Sequence, residues 1–170
     1  MKNKGVLFTT QAAMIAAVYI VLTVLFAAIS FGQIQIRIAE ALTILPVFTP
    51  AAIPGLFVGC LVGNILGGAA LPDIIFGSLA TLIGAALTYM LRHHKKYIAI
   101  LPPILSNVVI VPFILRFAYG VLLPIPFMML TVGIGEALSC GVLGLLLYSV
   151  LSKYSGRIFL QSAQNKTKEN

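Results

Sequence analysis

The sequence predicts an all-α polytopic membrane protein with six transmembrane helices, a short second helix and both termini in the cytoplasm. Of its 170 residues, 60% are hydrophobic and 9% are charged, and the mean hydropathy is +1.07. A soluble domain needs roughly a quarter of its residues charged to cover its surface. Several apolar runs are also long enough for a helix to cross the ~30 Å hydrocarbon core of a bilayer. We therefore expect a multi-pass protein of the bacterial cytoplasmic membrane.

The basic residues set the expected orientation. Most of them fall at positions 2–4, at 92–96 and from Lys153 onward, each at the end of an apolar run. Such clusters mark the cytoplasmic ends of membrane helices, so the net charge of +7 does not point to nucleic acid. An even number of crossings must then separate the N-terminus from the cluster at 92–96.

Each predicted helix follows from the length of an apolar run and from its helix breakers. The first run is longer than the roughly 7–15 residues of a signal-peptide core, so we expect it to remain as a helix. Residues 39–68 would make one helix of about 45 Å, and Pro50 and Pro54 would interrupt it, which predicts two crossings with a short first one. The expected helices are Val6–Ser30, Ala39–Phe48, a third ending near Gly68, Pro72–Leu91, Ile98–Phe117 and Pro126–Leu151. They form a single domain at 1–155, followed by a polar cytoplasmic tail at 156–170.

Two rows of small residues predict close helix contacts. Glycines recur every fourth residue from Gly55 to Gly67, and such a flat stripe is expected to pack against another helix of the fold. A second small-residue face lies on the first helix and is the candidate docking surface for a partner subunit. It consists of Ala12, Ala13, Ala16 and Ala17.

Polar residues outside the basic clusters predict a substrate pocket in the outer half of the bundle. A charge near the bilayer centre costs at least ~2.5–3.5 kcal/mol, so it normally faces a cavity or a partner. Ion pairing within the bundle is the alternative, for example of Arg37 or Arg116 with Glu136. The candidate binding residues are Gln33, Gln35, Arg37, Glu40, Asn64, Asp73, Asn107, Arg116 and Glu136.

In the stretch FGQIQIRIAEAL, residues 31–42, polar residues alternate with isoleucines: Gln33, Gln35 and Arg37 with Ile34, Ile36 and Ile38. A period of two indicates extended chain rather than helix. Extended backbone at membrane depth must line a cavity or be buried in protein, so we expect a loop that directs Gln33, Gln35 and Arg37 into the pocket. The alternative is an outer loop on the membrane surface with its isoleucines in lipid.

The sequence gives no sign of a metal, a cofactor or an enzyme. Cys60 and Cys140 lie in separate apolar runs and are expected to be packing residues. His93 and His94 lack a third ligand at metal spacing. There is no phosphate-binding G-x-x-x-x-G-K-[ST] and no H-E-x-x-H or G-x-S-x-G. Any energy for uphill transport must then come from another protein, although a small channel or an intramembrane enzyme stays an alternative.

This arrangement resembles the substrate-binding S-components of energy-coupling factor (ECF) transporters, and most closely the QueT-type S-components for queuosine precursors. The similar stretches are QIQIRIAEALTILPVFTPAAIPGLFVGCLVGNILGG, DIIFGSLATLIGAALTY and PPILSNVV. The resemblance implies an ECF S-component-like bundle that binds a 7-deazaguanine base, such as queuine or its aminomethyl precursor. It also implies a transmembrane coupling subunit and two ATPase subunits as partners. An S-component for riboflavin, thiamin or a similar vitamin is the alternative.

The resemblance and the chemistry of the base suggest roles for single residues. A carboxylate accepts the adjacent ring N–H and exocyclic amine of a deazaguanine, as acids do at amine edges of bases. We expect Glu136 deep in the pocket and Glu40 near its entrance. Among Gln33, Gln35 and Asn107 one would bond the ring carbonyl, and Phe31 or Tyr119 would stack on the ring.

Overall fold

The computed structural model describes residues 4–27 and 37–158, with side chains as far as Tyr154. This part of the chain forms six helices and contains no β-strand, which confirms the predicted all-α class. The helices are α1 (Lys4–Leu25), α2 (Ile38–Val47), α3 (Ala52–Leu66), α4 (Asp73–Met90), α5 (Lys96–Phe117) and α6, which runs without a break through Ile125–Glu136, Ala137–Leu143 and Gly144–Ile158. The end of the predicted first helix and most of the tail at 156–170 lie outside the described residues.

Four of the six helices are long and apolar enough to cross a membrane. They are α1, α4, α5 and the Ile125–Tyr154 part of α6. The other two are shorter, with 10 residues in α2 and 15 in α3. The predicted short second helix is therefore present. It is a 3₁₀-helix, which rises about 2.0 Å per residue, so it extends roughly 20 Å.

Helix α2 is the central element of the bundle. Every residue from Ala39 to Pro46 is buried, because α2 is surrounded by α1, α3, α4 and α6. Leu42 and Leu45 pack in one apolar cluster with Leu56 and Tyr19 of the neighbouring helices. A polar group on such a helix has no access to water and must find its partner inside the protein.

The two ends of the bundle differ in charge. Arg92 and Lys95 lie between α4 and α5, and Lys96 begins α5, at the same end as the start of α1 and the end of α6. At this end, called the basic end below, Phe48 stacks on Tyr148 with ring centroids 5.2 Å apart. At the opposite end α2 begins beside Asp73, the first residue of α4.

Helices α1 and α3 run parallel and in close contact along the glycine row. A Cβ added at Gly55 would lie 2.7 Å from the Ala12 carbonyl oxygen, and one at Gly59 would lie 2.8 Å from Tyr19 Cβ. At Gly63 the neighbour is Thr23, at 3.2 Å. The glycine row therefore serves packing within the fold, as the sequence predicts, and Gly67 lies just beyond the end of α3.

Candidate functional site

A chain of buried polar residues extends inward from the end opposite the basic end. In a 3₁₀-helix, residues three apart lie above one another, and Arg37, Glu40 and Thr43 have this spacing at and within the start of α2. Each of the three meets polar groups of other helices. The spacing of Arg37 and Glu40 thus gives two successive polar layers one helical turn apart.

The outermost layer is an ion pair between Arg37 and Asp73. Arg37 Nη2 donates to both carboxylate oxygens of Asp73, at 3.1 and 3.0 Å. Tyr119 donates its hydroxyl to Asp73 Oδ2 at 3.0 Å and accepts the backbone N–H of Ala70 at 3.1 Å. Both partners of the ion pair are buried, with side chains 7% and 1% exposed, so the pair is shielded from water.

The electrostatics of this layer keep its donors protonated. Burial acts to lower the pKa of Arg37, but the nearby acidic groups, Asp73 first among them, together outweigh it, and the net pKa lies above the ordinary value. Burial also raises the pKa of the Tyr119 hydroxyl, with a further contribution from the Asp73 charge. Both groups therefore remain donors to Asp73 over the physiological pH range.

Gly77 makes room for the ion pair. Asp73 is the first residue of α4, and the first turn of this helix, Asp73–Gly77, is a wide π-helical turn. Turns of this kind often mark a functional position. A Cβ at Gly77 would lie 2.6 Å from Asp73 Oδ1 and 3.7 Å from Arg37 Nη1. The absence of a side chain there lets the carboxylate lie against the helix backbone.

The second layer is centred on Glu40. Tyr19 donates its hydroxyl to Glu40 Oε1 at 2.5 Å, and Thr81 donates to the same oxygen at 3.2 Å. Glu40 is 0% exposed, and among the described residues its second oxygen, Oε2, has no hydrogen-bond partner. A buried acceptor without a partner is costly and is a good position for a ligand donor.

The third layer is centred on Glu136, at the end of the first segment of α6. Asn107 donates its side-chain N–H to Glu136 Oε1 at 2.9 Å, and the Cys140 thiol donates to Oε2 at 3.2 Å. Cys140 lies within the second π-helical segment, Ala137–Leu143. Glu136 is 3% exposed and lies about 16 Å along α6 from Ile125.

The second and third layers meet at a shared acidic cluster. One ligand atom each from Glu40, Glu136 and Cys140 lie within 4.8 Å of one another. Two carboxyl groups this close repel each other when both are charged, and the hydrogen-bond donors to both are neutral side chains. A cation, a set of N–H donors or a proton is the chemical complement of this cluster.

The candidate residues from the sequence divide into three groups. The structure brings together Arg37, Glu40, Asp73, Asn107 and Glu136, and it places Asn64 beside them, where it donates to the Asp73 carbonyl at 3.3 Å. Arg116 is not in this chain of contacts; it donates to the Val121 carbonyl at 3.2 Å and closes the α5–α6 connection. The remaining candidates lie outside the described residues: Gln33, Gln35 and the suggested stacking residue Phe31.

Several site residues were not among the candidates from the sequence. Tyr19, Thr81 and Cys140 hold the two glutamates in place, yet each lies in an apolar run with no motif around it. Cys60 and Cys140 are buried, as expected for packing residues, but both also make polar contacts: Cys60 Sγ lies 3.4 Å from the Thr81 hydroxyl oxygen, and Cys140 donates to Glu136. The signal that could have found Tyr19 is its hydroxyl, which needs a partner at the centre of an apolar helix.

An apolar groove on the outside of the bundle is separate from this site. It has a volume of about 350 Å³ and lies between α4 and α5, with Phe76 and Phe113 among its lining residues. None of the residues of the acidic cluster lines it. Its composition suits contact with lipid rather than with a polar ligand.

The four alanines of α1 face two directions. The Ala12 carbonyl and Ala16 lie against Gly55 and Gly59 of α3, and Ala16 is buried. Ala13 and Ala17 are exposed. Within the predicted docking face, these two residues are therefore the ones accessible to another protein.

Comparison with known proteins supplies a family. The model of the QueT transporter family matches residues 9–153. Over 86 residues the chain is 35% identical to the queuosine precursor transporter QueT of Lactococcus lactis subsp. cremoris (strain MG1363), an alignment that covers 49% of this chain and 50% of that protein. The chain thus spans about half the length of this curated relative, and no solved structure matches it. Because the family model covers most of the 170 residues, the chain belongs to the QueT transporter family.

Proposed function

We propose that the chain is the substrate-binding (S) subunit of an ATP-driven ECF-type importer, and that it binds a queuosine precursor. The ligand is a 7-deazaguanine base such as queuine or its aminomethyl precursor. The observation that carries the proposal is the buried cluster of Glu40 and Glu136, in which Glu40 Oε2 has no hydrogen-bond partner among the residues that the structure describes and can accept from a ligand donor. Family membership and the name of the Lactococcus lactis relative supply the substrate class.

The donor pattern of the base suits this cluster. A deazaguanine carries a ring N–H next to an exocyclic amine, and a carboxylate accepts such a pair bidentately. Within the described part of the chain, Glu40 has one oxygen without a partner and one that accepts from Tyr19 and Thr81. Asn107 has a side-chain carbonyl and a second N–H beyond its bond to Glu136, which supports a role for it in recognising the polar edge of the same ring.

The distribution of charge supports a topology of six crossings with both termini in the cytoplasm. The described basic residues between α4 and α5 and those at the ends of α1 and α6 share one end of the bundle, as the positive-inside rule requires. Helix α2 runs from the Asp73 end toward that basic end, and α3 returns parallel to α1. In this topology the acidic cluster lies inward of the Arg37–Asp73 pair, which is at the outer end of the bundle.

Ligand binding tests the proposal directly. Purified protein in detergent is heated with a panel of queuine, aminomethyl-deazaguanine, guanine, riboflavin and thiamin, and its melting temperature is measured. A ligand at a hundred times its Kd stabilises the folded state by about 2.7 kcal/mol, so the deazaguanines are expected to raise the melting temperature. If a vitamin raises the melting temperature and the deazaguanines do not, the protein binds another substrate. If no compound changes the melting temperature, the proposed substrate-binding role is contradicted.

The exposed alanines test the proposed coupling to an ATPase module. Replacing Ala13 by phenylalanine puts bulk on an exposed small-residue face, and overpacking a helix contact costs about 1–3 kcal/mol. We expect uptake in cells that contain the complete transporter to fall about tenfold or more, with ligand binding by the purified subunit unchanged.

The matched control is Val18→Phe, at a residue of the same helix that is 48% exposed and lies off the alanine face. It should leave both uptake and binding intact. Loss of binding with Ala13→Phe would show that the alanine supports the fold, and unchanged uptake would remove Ala13 from the docking surface.

A further inference from the structure

We propose that the Ser139 hydroxyl contacts the ligand and donates a hydrogen bond to an acceptor on the inner edge of the bound base. The acceptor is a carbonyl oxygen or an unprotonated ring nitrogen. The inference rests on the proposed function and deepens it, because it adds a specificity-determining residue at the inner end of the site. It involves neither oxygen of Glu40.

Ser139 lies on the same inward face of α6 as Glu136. The buried residues of this part of the helix recur three or four positions apart and include Val132, Glu136, Ser139 and Cys140. The residues at positions 134, 137, 138 and 142 are exposed. Because residues three and four apart are neighbours on a helix surface, the side chains of Ser139 and Glu136 point into the same part of the interior.

Ser139 also lies further inward than Glu136. In the proposed topology α6 runs from the outer end toward the basic end, and three residues correspond to roughly 4.5 Å along a helix. The π-helical segment that contains Ser139, Ala137–Leu143, packs against α2 and also contacts α5. These are the helices of Glu40 and Asn107. A ligand that reaches Glu136 from the outside would therefore have its inner edge near Ser139.

The Ser139 hydroxyl has no hydrogen-bond partner among the described residues. Ser139 is 0% exposed, and its Oγ is buried. A serine within a helix can donate to the carbonyl four residues before it, as Ser78 does to Ile74 at 2.6 Å and Ser149 does to Leu145 at 2.8 Å. The hydroxyl of Ser139 makes no such bond. A buried hydroxyl without a partner destabilises the fold, and a ligand that brings an acceptor would remove this cost.

The other donors around the acidic cluster are already directed at carboxylates. Tyr19, Thr81 and Cys140 each donate to one of the two glutamates, and Asn107 uses one N–H in the same way. Ionised carboxylates accept hydrogen bonds and donate none, so they can bind the N–H groups of a base but not its carbonyl oxygen or its unprotonated ring nitrogen. The uncommitted proton of Ser139 is the complement of such an acceptor.

The variant Ser139→Ala tests the inference through two measurements that should change in opposite directions for function. Without ligand, alanine removes a buried hydroxyl that has no partner, so the melting temperature of the purified full-length protein should rise by about 2–4 °C. The Kd of 7-aminomethyl-7-deazaguanine, measured by calorimetry, should increase about tenfold. A serine that only supported the fold would not give a variant that is more stable and binds its ligand more weakly.

The matched control is Ser78→Ala. Ser78 is also 0% exposed, but its hydroxyl donates to the Ile74 carbonyl. Its removal should not raise the melting temperature and should leave the Kd unchanged. A second variant of the tested residue, Ser139→Cys, keeps a weak donor. Its Kd should lie between the values of the unaltered protein and of Ser139→Ala.

Two analogues of the base test the same hydrogen bond from the side of the ligand. One lacks the ring carbonyl oxygen, and the other has C–H in place of the unprotonated nitrogen of the six-membered ring. The unaltered protein should bind one of them about tenfold more weakly than the parent base. In Ser139→Ala this difference in affinity should disappear, because the variant already lacks the hydrogen bond.

The outcomes distinguish a failure of this inference from a failure of the proposed function. An unchanged Kd in Ser139→Ala would overturn the contact with the ligand and leave the proposed function standing. A lower melting temperature of the ligand-free variant would also overturn it, because the hydroxyl would then stabilise the fold. If the unaltered protein binds no deazaguanine, the proposed function is contradicted and the inference with it. If Ser139→Ala fails to fold, full affinity of the unaltered protein for both analogues would overturn the inference.

Discussion

Replacing Arg37 by methionine is expected to destabilise the protein by about 3–5 kcal/mol, because it leaves the buried carboxylate of Asp73 without its cation. Asp73 is 0% exposed and would retain one hydroxyl donor, Tyr119. The methionine fills much of the same volume, so the loss reports the charge rather than a cavity. Thermal or denaturant unfolding of the purified protein measures the effect.

The double variant Arg37→Met with Asp73→Asn is the matched control. It removes both charges, and replacing a whole buried ion pair costs far less than breaking it. We expect it to recover a large part of the stability lost in the single variant. If both variants lose the same amount, Arg37 stabilises the fold through other contacts and the ion pair contributes little.

The helices could be predicted from the sequence because their signals are local. Run length, proline position and the basic clusters define most helix ends to within two residues of the observed bounds, but α1 ends at Leu25, before the predicted Ser30, and α6 continues past the predicted Leu151 to Ile158. The three-residue spacing of Arg37 and Glu40 places the two residues one turn apart because α2 is a 3₁₀-helix. That type of helix could not be predicted from the sequence. Of the alternating residues predicted to be extended, those at 33–36 lie outside the described residues, Arg37 has extended dihedral angles, and Ile38 instead begins the 3₁₀-helix α2.

The partners of the acidic residues could not be predicted, because they come from distant parts of the chain. Arg37 pairs with Asp73, 36 residues away, rather than with Glu136. Cys140 meets the Glu40 carbonyl across 100 residues. No periodicity within one helix indicates which residue of another helix will face it. The two π-helical segments beside Asp73 and Glu136 leave no pattern in the sequence either.

Replacing Gly59 by alanine is expected to weaken both the fold and the site. The added Cβ would lie 2.8 Å from Tyr19 Cβ and 3.1 Å from Ala16 Cα, distances at which α1 and α3 must separate. Overpacking of this kind costs about 1–3 kcal/mol, and more where backbone must move. Tyr19 is 1% exposed and donates to Glu40, so a shift of α1 also displaces the hydroxyl that positions this carboxylate.

Alanine substitutions at two other glycines, Gly141 and Gly55, distinguish the effect on the stability of the fold from the effect on ligand affinity. Gly141 has no atom within 4 Å of an added Cβ, so Gly141→Ala should leave stability within about 1 kcal/mol of the unaltered protein. Gly55→Ala strains the same helix pair at the Ala12 carbonyl, about two turns from Tyr19, and should lower the melting temperature with a smaller loss of ligand affinity than Gly59→Ala. Equal loss of affinity in the two variants would mean that helix separation as a whole, rather than the position of Tyr19, controls binding. The glycine row would then act on the site through the packing of α1 on α3, and Tyr19 would have no separate part in orienting Glu40.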